Sequence, residues 1–185
     1  MPDTANKPHI DIDATIPGIR SLVSYRPETG RPLYDLVQVL LRGPGTLPQA
    51  DRELLAAYVS SLNQCRFCTQ SHAAAARVLY GRKAAVVDAV LKGDTEAHIS
   101  PKLTSLLRIA ERVQVSGKNV SPADIDFAKR YGATESEIHD TVLIAATFCM
   151  FNRYVDGLNS FTPDDFSVYE EMGVRMVNGY HFPDK

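Results

Sequence analysis

Two cysteines and a histidine stand close together in "CRFCTQSH", residues 65–72. If this segment is helical, Cys65, Cys68 and His72 occupy positions i, i+3 and i+7, which lie on one face of a helix. A Cys-x-x-Cys pair at the start of a helix can form a disulfide, and helix amides together with the neighbouring thiol lower the pKa of one cysteine. The spacing therefore predicts a redox-active thiol pair, with His72 placed to accept the proton of Cys68.

A glutamate in the preceding segment is expected to face this histidine. Residues 51–62, "DRELLAAYVSSL", have helical character, and a break is predicted at residues 63–64 before the next helix. Two antiparallel helices joined there would place Glu53 and His72 at similar depths, roughly 15 Å from the turn at 1.5 Å per residue. We expect a direct or water-mediated contact, which would fix the histidine tautomer and tune its basicity.

Two other interpretations of these side chains stay open. Two thiolates, an imidazole and a carboxylate could bind Zn²⁺, although their spacing is not typical of a structural zinc site. The cysteines could instead pack as small apolar side chains, with His72 incidental to them. The third cysteine, Cys149 in "AATFCMF", is expected to be an inert core thiol. We predict no metal and no cofactor.

The composition argues against several classes of protein. A net charge of -2 and a pI near 6.2 offer no basic excess for nucleic acid. Three cysteines are too few and too odd in number for a secreted disulfide framework, which favours a reducing, cytoplasmic location. The first twenty residues contain no apolar signal segment, and the longest apolar run, residues 141–151, is too short to cross a membrane. We therefore predict a cytoplasmic protein without a nucleic-acid or membrane partner.

The periodicity of apolar residues and the turn signals predict an all-α fold. Residues 1–16 are expected to form an extended N-terminal arm, and residues 17–185 a single all-helical domain. Ser-Pro pairs at residues 100–101 and 121–122, and the capping-box spacing of Thr134 and Glu137, predict helix starts. Helices are predicted at about 17–26, 31–43, 48–62, 65–81, 101–117, 122–132, 134–158 and 163–179.

An internal repeat is one hypothesis for the topology. Glu53 stands twelve residues before Cys65, and Glu137 stands twelve residues before Cys149. The shared spacing is consistent with a duplicated helical hairpin.

The pattern of Glu53, Cys65, Cys68 and His72 resembles the signature of the alkylhydroperoxidase D-like branch of the carboxymuconolactone decarboxylase superfamily. Residues 43–81, "GPGTLPQADRELLAAYVSSLNQCRFCTQSHAAAARVLYG", look like the core of that branch. "FNRYVDGLN", residues 151–159, is similar to the second conserved stretch of its uncharacterised peroxidase-related members. The resemblance extends over roughly residues 15–160.

The resemblance implies an all-helical bundle around a CxxC hairpin, often assembled as a homotrimer or homohexamer. It also implies thiol-dependent reduction of a hydroperoxide substrate, with electrons supplied by a dithiol or a disulfide reductase. By analogy, Cys68 attacks the peroxide, Cys65 resolves the product, and Glu53 with His72 forms a proton relay. The helix dipole alone would instead favour Cys65 as the more acidic thiol, because it is nearer the helix N-terminus.

One departure from the family pattern bears on activity. The best-known members carry an additional histidine between the two cysteines, where this chain has Arg66 and Phe67. A shorter relay and slower turnover are expected as a result. A redox-responsive oligomer and a general disulfide oxidoreductase with little peroxidase turnover are therefore alternative functions. Lactone decarboxylation is a weaker alternative, since the namesake branch lacks the paired cysteines.

Overall fold

The computed structural model describes residues 7–94 and 99–183. Over these ranges the chain forms α-helices, two short 3-10 turns and no strand, so the predicted all-α fold is confirmed. The helices are α1 (Ile19–Tyr25), α2 (Pro27–Arg42), α3 (Gln49–Leu62), α4 (Arg66–Tyr80), α5 (Ala85–Leu91), α6 (Pro101–Val115), α7 (Pro122–Arg130), α8 (Glu135–Gly157) and α9 (Phe166–Met176).

Side-chain caps begin three helices where the sequence predicts them. The Ser100 hydroxyl accepts the amide of Leu103 at 3.2 Å at the start of α6. At α8, the Thr134 hydroxyl accepts the amide of Glu137 at 3.2 Å, and the Glu137 carboxylate accepts the amide of Thr134 at 2.9 Å. A similar capping box starts α7. These interactions satisfy amides that have no partner within the helix.

Two helices differ from the sequence prediction. α2 begins at Pro27, about four residues earlier than predicted, because a proline needs no amide partner at the first helical position. Pro32 then lies inside α2. The seven-residue α5 was not predicted at all, since it is too short for a clear helical period.

The α3 and α4 helices pack against each other and form the centre of the domain. The turn between them contains Gln64 with φ of 61°, and the amide of Cys65 donates to the Ser60 carbonyl at 3.0 Å. α8 packs on α3 and α6, and α9 covers α4. Gly173 of α9 lies so close to α4 that a Cβ there would sit 2.7 Å from the Ala74 carbonyl carbon.

The duplicated hairpin hypothesis is wrong. Glu137 and Cys149 lie on one continuous helix, α8, whereas Glu53 and Cys65 are separated by the turn between α3 and α4. Glu137 completes the capping box of α8, which explains its presence at that position. The equal spacing of the two Glu–Cys pairs in the sequence therefore does not reflect a repeated structure.

The residues before α1 contact the segment that follows α8. The amide of His9 donates to the Leu158 carbonyl at 3.0 Å, and the Asn159 side chain donates to the Lys7 carbonyl at 2.9 Å. Residues 1–6 of the predicted arm lie outside the described part of the chain.

None of the helices in the described ranges has both the length and the apolar character needed to cross a membrane.

Candidate active site

The carboxylate of Glu53, on α3, lies at the centre of a buried polar cluster. The side chain is fully buried. Its Oε2 accepts a hydrogen bond from Nδ1 of His72 on α4 at 2.7 Å. Its Oε1 accepts from Nη2 of Arg42 and from the hydroxyl of Tyr180, each at 2.5 Å. A single carboxylate therefore joins an imidazole, a guanidinium and a phenol from three separate parts of the chain.

Arg42, the last residue of α2, also ties this cluster to the end of α9. Its Nε and Nη2 donate to the Met176 carbonyl at 3.2 and 2.9 Å. The guanidinium carbon lies 5.1 Å from the centre of the Tyr180 ring, a distance typical of a cation–π contact. The Arg42 side chain is only 5% exposed. Its charge therefore acts on Glu53 with little screening by solvent.

These contacts keep Glu53 ionised. Burial raises the pKa of the carboxyl, but the charge and hydrogen bond of His72, the charge of Arg42 and the hydrogen bond of Tyr180 outweigh it and leave the pKa below its ordinary value of 4.5. Burial and the charge of Glu53 raise the pKa of Tyr180 well above its ordinary value of 10.0. Tyr180 therefore remains a hydrogen-bond donor, and Glu53 remains a pure acceptor.

The ionised carboxylate defines the tautomer of His72. Because Glu53 can only accept, Nδ1 of the imidazole carries the hydrogen, and Nε2 is left with a free lone pair in the neutral ring. The edge of the ring packs against Phe148 with centroids 4.5 Å apart, and its face is nearly parallel to Tyr180 at 6.2 Å. His72 is thus held in one orientation and equipped to accept a proton at Nε2.

The two cysteines lie at the beginning of α4. Cys65 immediately precedes the helix and is fully buried, whereas Cys68 is in its first turn and is 4% exposed. Both thiols are free. A hydrogen bond with Cys68 and then burial raise the pKa of Cys65 far above its ordinary value of 9.0. Cys65 therefore stays protonated.

A carboxylate of α8 lies behind Cys65. The Asp156 side chain is within hydrogen-bonding reach of the Cys65 thiol. Burial raises the pKa of Asp156 above its ordinary value of 3.8, and the hydrogen bond with Cys65 opposes this shift. A more basic carboxylate beside a protonated thiol is an arrangement that can accept the thiol proton.

A cavity of about 150 Å³ opens in front of the cysteines. Cys68 and His72 both line it, and Cys65 does not. Its other walls come from α1, α2, α8 and α9 and from residues 179–181, and are mostly apolar: Ile19, Val37, Phe67, Phe148, Phe151, Met172 and Met176 are among them. Such a cavity suits a small organic molecule better than a peptide.

The structure brings the four residues singled out from the sequence into one region. Glu53 contacts His72 directly, and the two cysteines contact each other. Cys68 and His72 meet at the shared cavity.

Sequence reasoning missed Arg42 and Tyr180. Tyr180 belongs to the segment "GYHFPDK", residues 179–185. A tyrosine next to a histidine in this segment was the one sequence feature that could have indicated a role at the site. Residues 184–185 of that segment lie outside the described residues. Asp156 and Arg153 lie close in sequence in "FNRYVDGLN" and could have formed a charged pair, but within the described residues the structure shows no ion pair between them, and Arg153 donates to the Cys149 carbonyl at 2.8 Å.

Cys149 has different surroundings from the paired cysteines. It is half-buried, and its thiol donates to the Gln114 carbonyl at 3.9 Å and lies 3.5 Å from Nδ2 of Asn63. Within residues 7–94 and 99–183, no three His, Cys, Asp or Glu side chains are grouped so that they could hold a metal ion.

Comparison with known proteins agrees with the resemblance drawn from the sequence. Residues 27–112 match the sequence model of the carboxymuconolactone decarboxylase family. A crystal structure described as an alkylhydroperoxidase AhpD core, of an uncharacterized peroxidase-related protein from Ralstonia eutropha JMP134, is 26% identical with a TM-score of 0.75. The match covers 85% of this chain and 81% of that one.

A second structure, of an uncharacterized peroxidase-related protein from Silicibacter sp. TM1040, has a TM-score of 0.75 at 21% identity and shares the fold. That match covers 84% of this chain and 79% of the other. No curated protein matches the chain in sequence. The family match over residues 27–112 and the AhpD-core fold of the 26% identical structure both support the resemblance to the alkylhydroperoxidase D-like branch of the carboxymuconolactone decarboxylase superfamily.

Proposed function

We propose that this protein is a thiol-dependent peroxidase that reduces a hydroperoxide at Cys68 and forms a disulfide with Cys65. The family and the peroxidase-related structural neighbours support a general peroxidase-related function. The main observation in favour of this thiol mechanism is that the two cysteines have different surroundings. Cys68 lines the cavity together with His72, while Cys65 lies behind it, protonated and hydrogen-bonded to it.

In the first step, Nε2 of His72 accepts the proton of Cys68, directly or through a water molecule. The thiolate attacks the terminal oxygen of ROOH, the O–O bond breaks, and the proton returns to the leaving alkoxide. The products are ROH and a sulfenic acid on Cys68. Glu53 stabilises the imidazolium that forms during this step, and Arg42 keeps the buried carboxylate from becoming an uncompensated charge.

In the second step, Cys65 attacks the sulfur of the Cys68 sulfenic acid. The S–S bond forms, the S–O bond breaks, and the proton of Cys65 and the departing hydroxide leave as water. Asp156 is within reach to accept the proton of Cys65 and pass it to the departing hydroxide. A dithiol then reduces the disulfide by exchange, which returns two protons and two electrons to the pair and releases the oxidised donor.

The burial of both sulfurs bears on the electron donor. With the thiols 0% and 4% exposed, the donor must reach them through the cavity. A small dithiol, or a dithiol carried on a flexible arm of a disulfide reductase, meets this requirement. The homotrimer or homohexamer implied by the resemblance stays a prediction, which light scattering on the purified protein measures directly.

Single cysteine replacements test the proposal. We expect the wild-type protein to consume cumene hydroperoxide with dithiothreitol as donor, and Cys68→Ser protein to lose this activity. Without dithiothreitol, Cys65→Ser protein should consume one equivalent of peroxide and retain a sulfenic acid that dimedone traps, whereas the wild-type protein should form a disulfide that dimedone does not trap. Cys149→Ser is the matched control and should behave as wild type, because that thiol has different partners.

Wild-type rates in the Cys68→Ser protein would refute the proposed peroxidase. If the thiols of the wild-type protein react no faster than free cysteine and oxidation changes its assembly state, a redox-responsive oligomer is the better description.

A further inference from the structure

The cavity in front of Cys68 is apolar inside, but two arginines border it. Arg20 of α1 and Arg175 of α9 both line it, and Tyr34 of α2 lies beside them. Cys68 is almost fully buried, whereas Arg175 is exposed and Arg20 is half-buried. This difference in exposure puts the guanidinium groups on the solvent side of the cavity and the thiol at its inner end.

Neither arginine has an acidic partner in the described part of the chain. Arg42, Arg66 and Arg77, by contrast, each pair with a carboxylate at 2.5 to 2.6 Å. Arg20 and Arg175 are close enough to oppose each other's charge: burial and then the charge of Arg20 lower the pKa of Arg175.

Two like charges beside an apolar cavity, with no acidic partner among the described residues, are unfavourable for the empty protein, and an anion bound between them removes that cost. Guanidinium groups also match the geometry of a carboxylate, since their planar N–H groups can donate to both of its oxygens. The Tyr34 hydroxyl offers a further neutral donor, because burial raises its pKa above the ordinary value of 10.0. The cavity thus combines an apolar body, a thiol at one end and an anion site at the other.

We propose that the cavity binds organic hydroperoxides that carry a carboxylate, with the apolar body between the aromatic walls, the carboxylate on Arg20 and Arg175, and the peroxide at Cys68. This assignment of a substrate class rests on the proposed peroxidase function. It also predicts that a carboxylate ligand without a peroxide binds in the same place.

The kinetic test compares cumene hydroperoxide with its 4-carboxy derivative and the methyl ester of that derivative. We expect wild-type kcat/KM to favour the carboxylate over the ester about ten- to a hundred-fold, the range of charge-assisted hydrogen bonds. The preference should shrink in high salt. In the double variant Arg20→Gln/Arg175→Gln, the ratio of kcat/KM for the carboxylate to kcat/KM for the ester should fall close to one. The control variant Arg82→Gln/Arg130→Gln removes two exposed charges elsewhere and should keep the wild-type ratio.

A binding test separates this proposal from the peroxidase proposal. Titration calorimetry on the Cys68→Ser protein compares 4-isopropylbenzoate with 4-isopropylbenzamide, neither of which can be reduced. Tighter binding of the benzoate that is lost in the Arg20/Arg175 double variant supports the anion site, even if no hydroperoxide is consumed. Equal binding of the two compounds overturns it, even if the wild-type protein is an active peroxidase.

Discussion

Replacing Glu53 with glutamine probes the hydrogen-bond arrangement of the relay at almost constant shape. Arg42 can only donate, so the amide oxygen must occupy the position of Oε1, and the amide NH₂ then faces Nδ1 of His72. Two donors cannot share that contact. The histidine must therefore shift its hydrogen to Nε2, where it can no longer accept the proton of Cys68.

The expected magnitude follows from this change of tautomer. General-base catalysis contributes about 10²- to 10⁴-fold, and the corresponding Asp-to-Asn change in a serine-protease triad lowers kcat by about 10⁴ through the same error. We expect sulfenic acid formation in Glu53→Gln protein to slow by about 10²- to 10⁴-fold at pH 7. Breaking a buried ion pair costs about 3–5 kcal/mol, an upper bound here because the glutamine oxygen still accepts from Arg42. Since domains are stable by about 5–15 kcal/mol, the variant should fold.

The assay must detect sulfur chemistry directly, because the chain contains no tryptophan to report on the cysteines. Rapid mixing with cumene hydroperoxide, dimedone trapping and intact-protein mass spectrometry give the rate of sulfenic acid formation. The difference in this rate between Glu53→Gln and wild-type protein should become smaller as the pH rises, because hydroxide can then remove the thiol proton. Glu137→Gln is the control: that carboxylate is 2% exposed and pairs with Lys102, so its loss costs stability without slowing Cys68. A rate within threefold of wild type for Glu53→Gln would refute the proposed relay.

Three further changes test other parts of the structure. Removing the hydroxyl with Tyr180→Phe should cost about 1.5–3 kcal/mol, because it donates to a charged acceptor, Glu53; an unchanged urea midpoint would contradict this contact. Gly173→Ala forces a methyl group against Ala74. The cost of overpacking, about 1–3 kcal/mol, should exceed the roughly 1 kcal/mol gained in helix propensity, so Tm should fall. A rise in Tm would show that α9 can move away from α4. Asp156→Asn should slow disulfide formation but not sulfenic acid formation in quenched time courses, and equal slowing of both steps would argue against its role as a base for the resolving cysteine.

The free energy of unfolding should depend on pH because of Glu53. Its pKa is below 4.5 in the folded protein, so below about pH 4.5 the unfolded chain binds more protons than the folded one. The contribution of Glu53 is therefore complete above that pH and is lost as the pH falls through the folded pKa. Thermal unfolding between pH 7 and pH 3 should show a Tm that drops on acidification, and Glu53→Gln should have a shallower drop. Parallel profiles for the two proteins would contradict the assigned direction.

The parts of this protein that could be predicted from its sequence depend on local signals. The caps at Ser100 and Thr134 lie within three residues of the amides they satisfy, and the contact of Glu53 with His72 crosses a single turn. Tyr180, in contrast, reaches Glu53 from 127 residues away, so that no periodicity or spacing could indicate it. Arg42 was equally hidden, because a basic residue in the last turn of a helix is ordinary in any helical protein.

The start of α4 also bears on which cysteine attacks. Cys65 is the N-cap residue of α4, with backbone angles φ -79° and ψ 97°, and Cys68 lies in the first turn. The hydrogen bond with the Cys68 side chain and burial raise the pKa of the Cys65 thiol, and the backbone amide of Cys68 lowers it by less. Cys68 also lines the cavity, whereas Cys65 is fully buried and does not. Access to the cavity thus favours Cys68, the sulfur to which the family analogy assigns the attacking role, and the raised pKa of Cys65 outweighs the preference of the helix dipole for that residue.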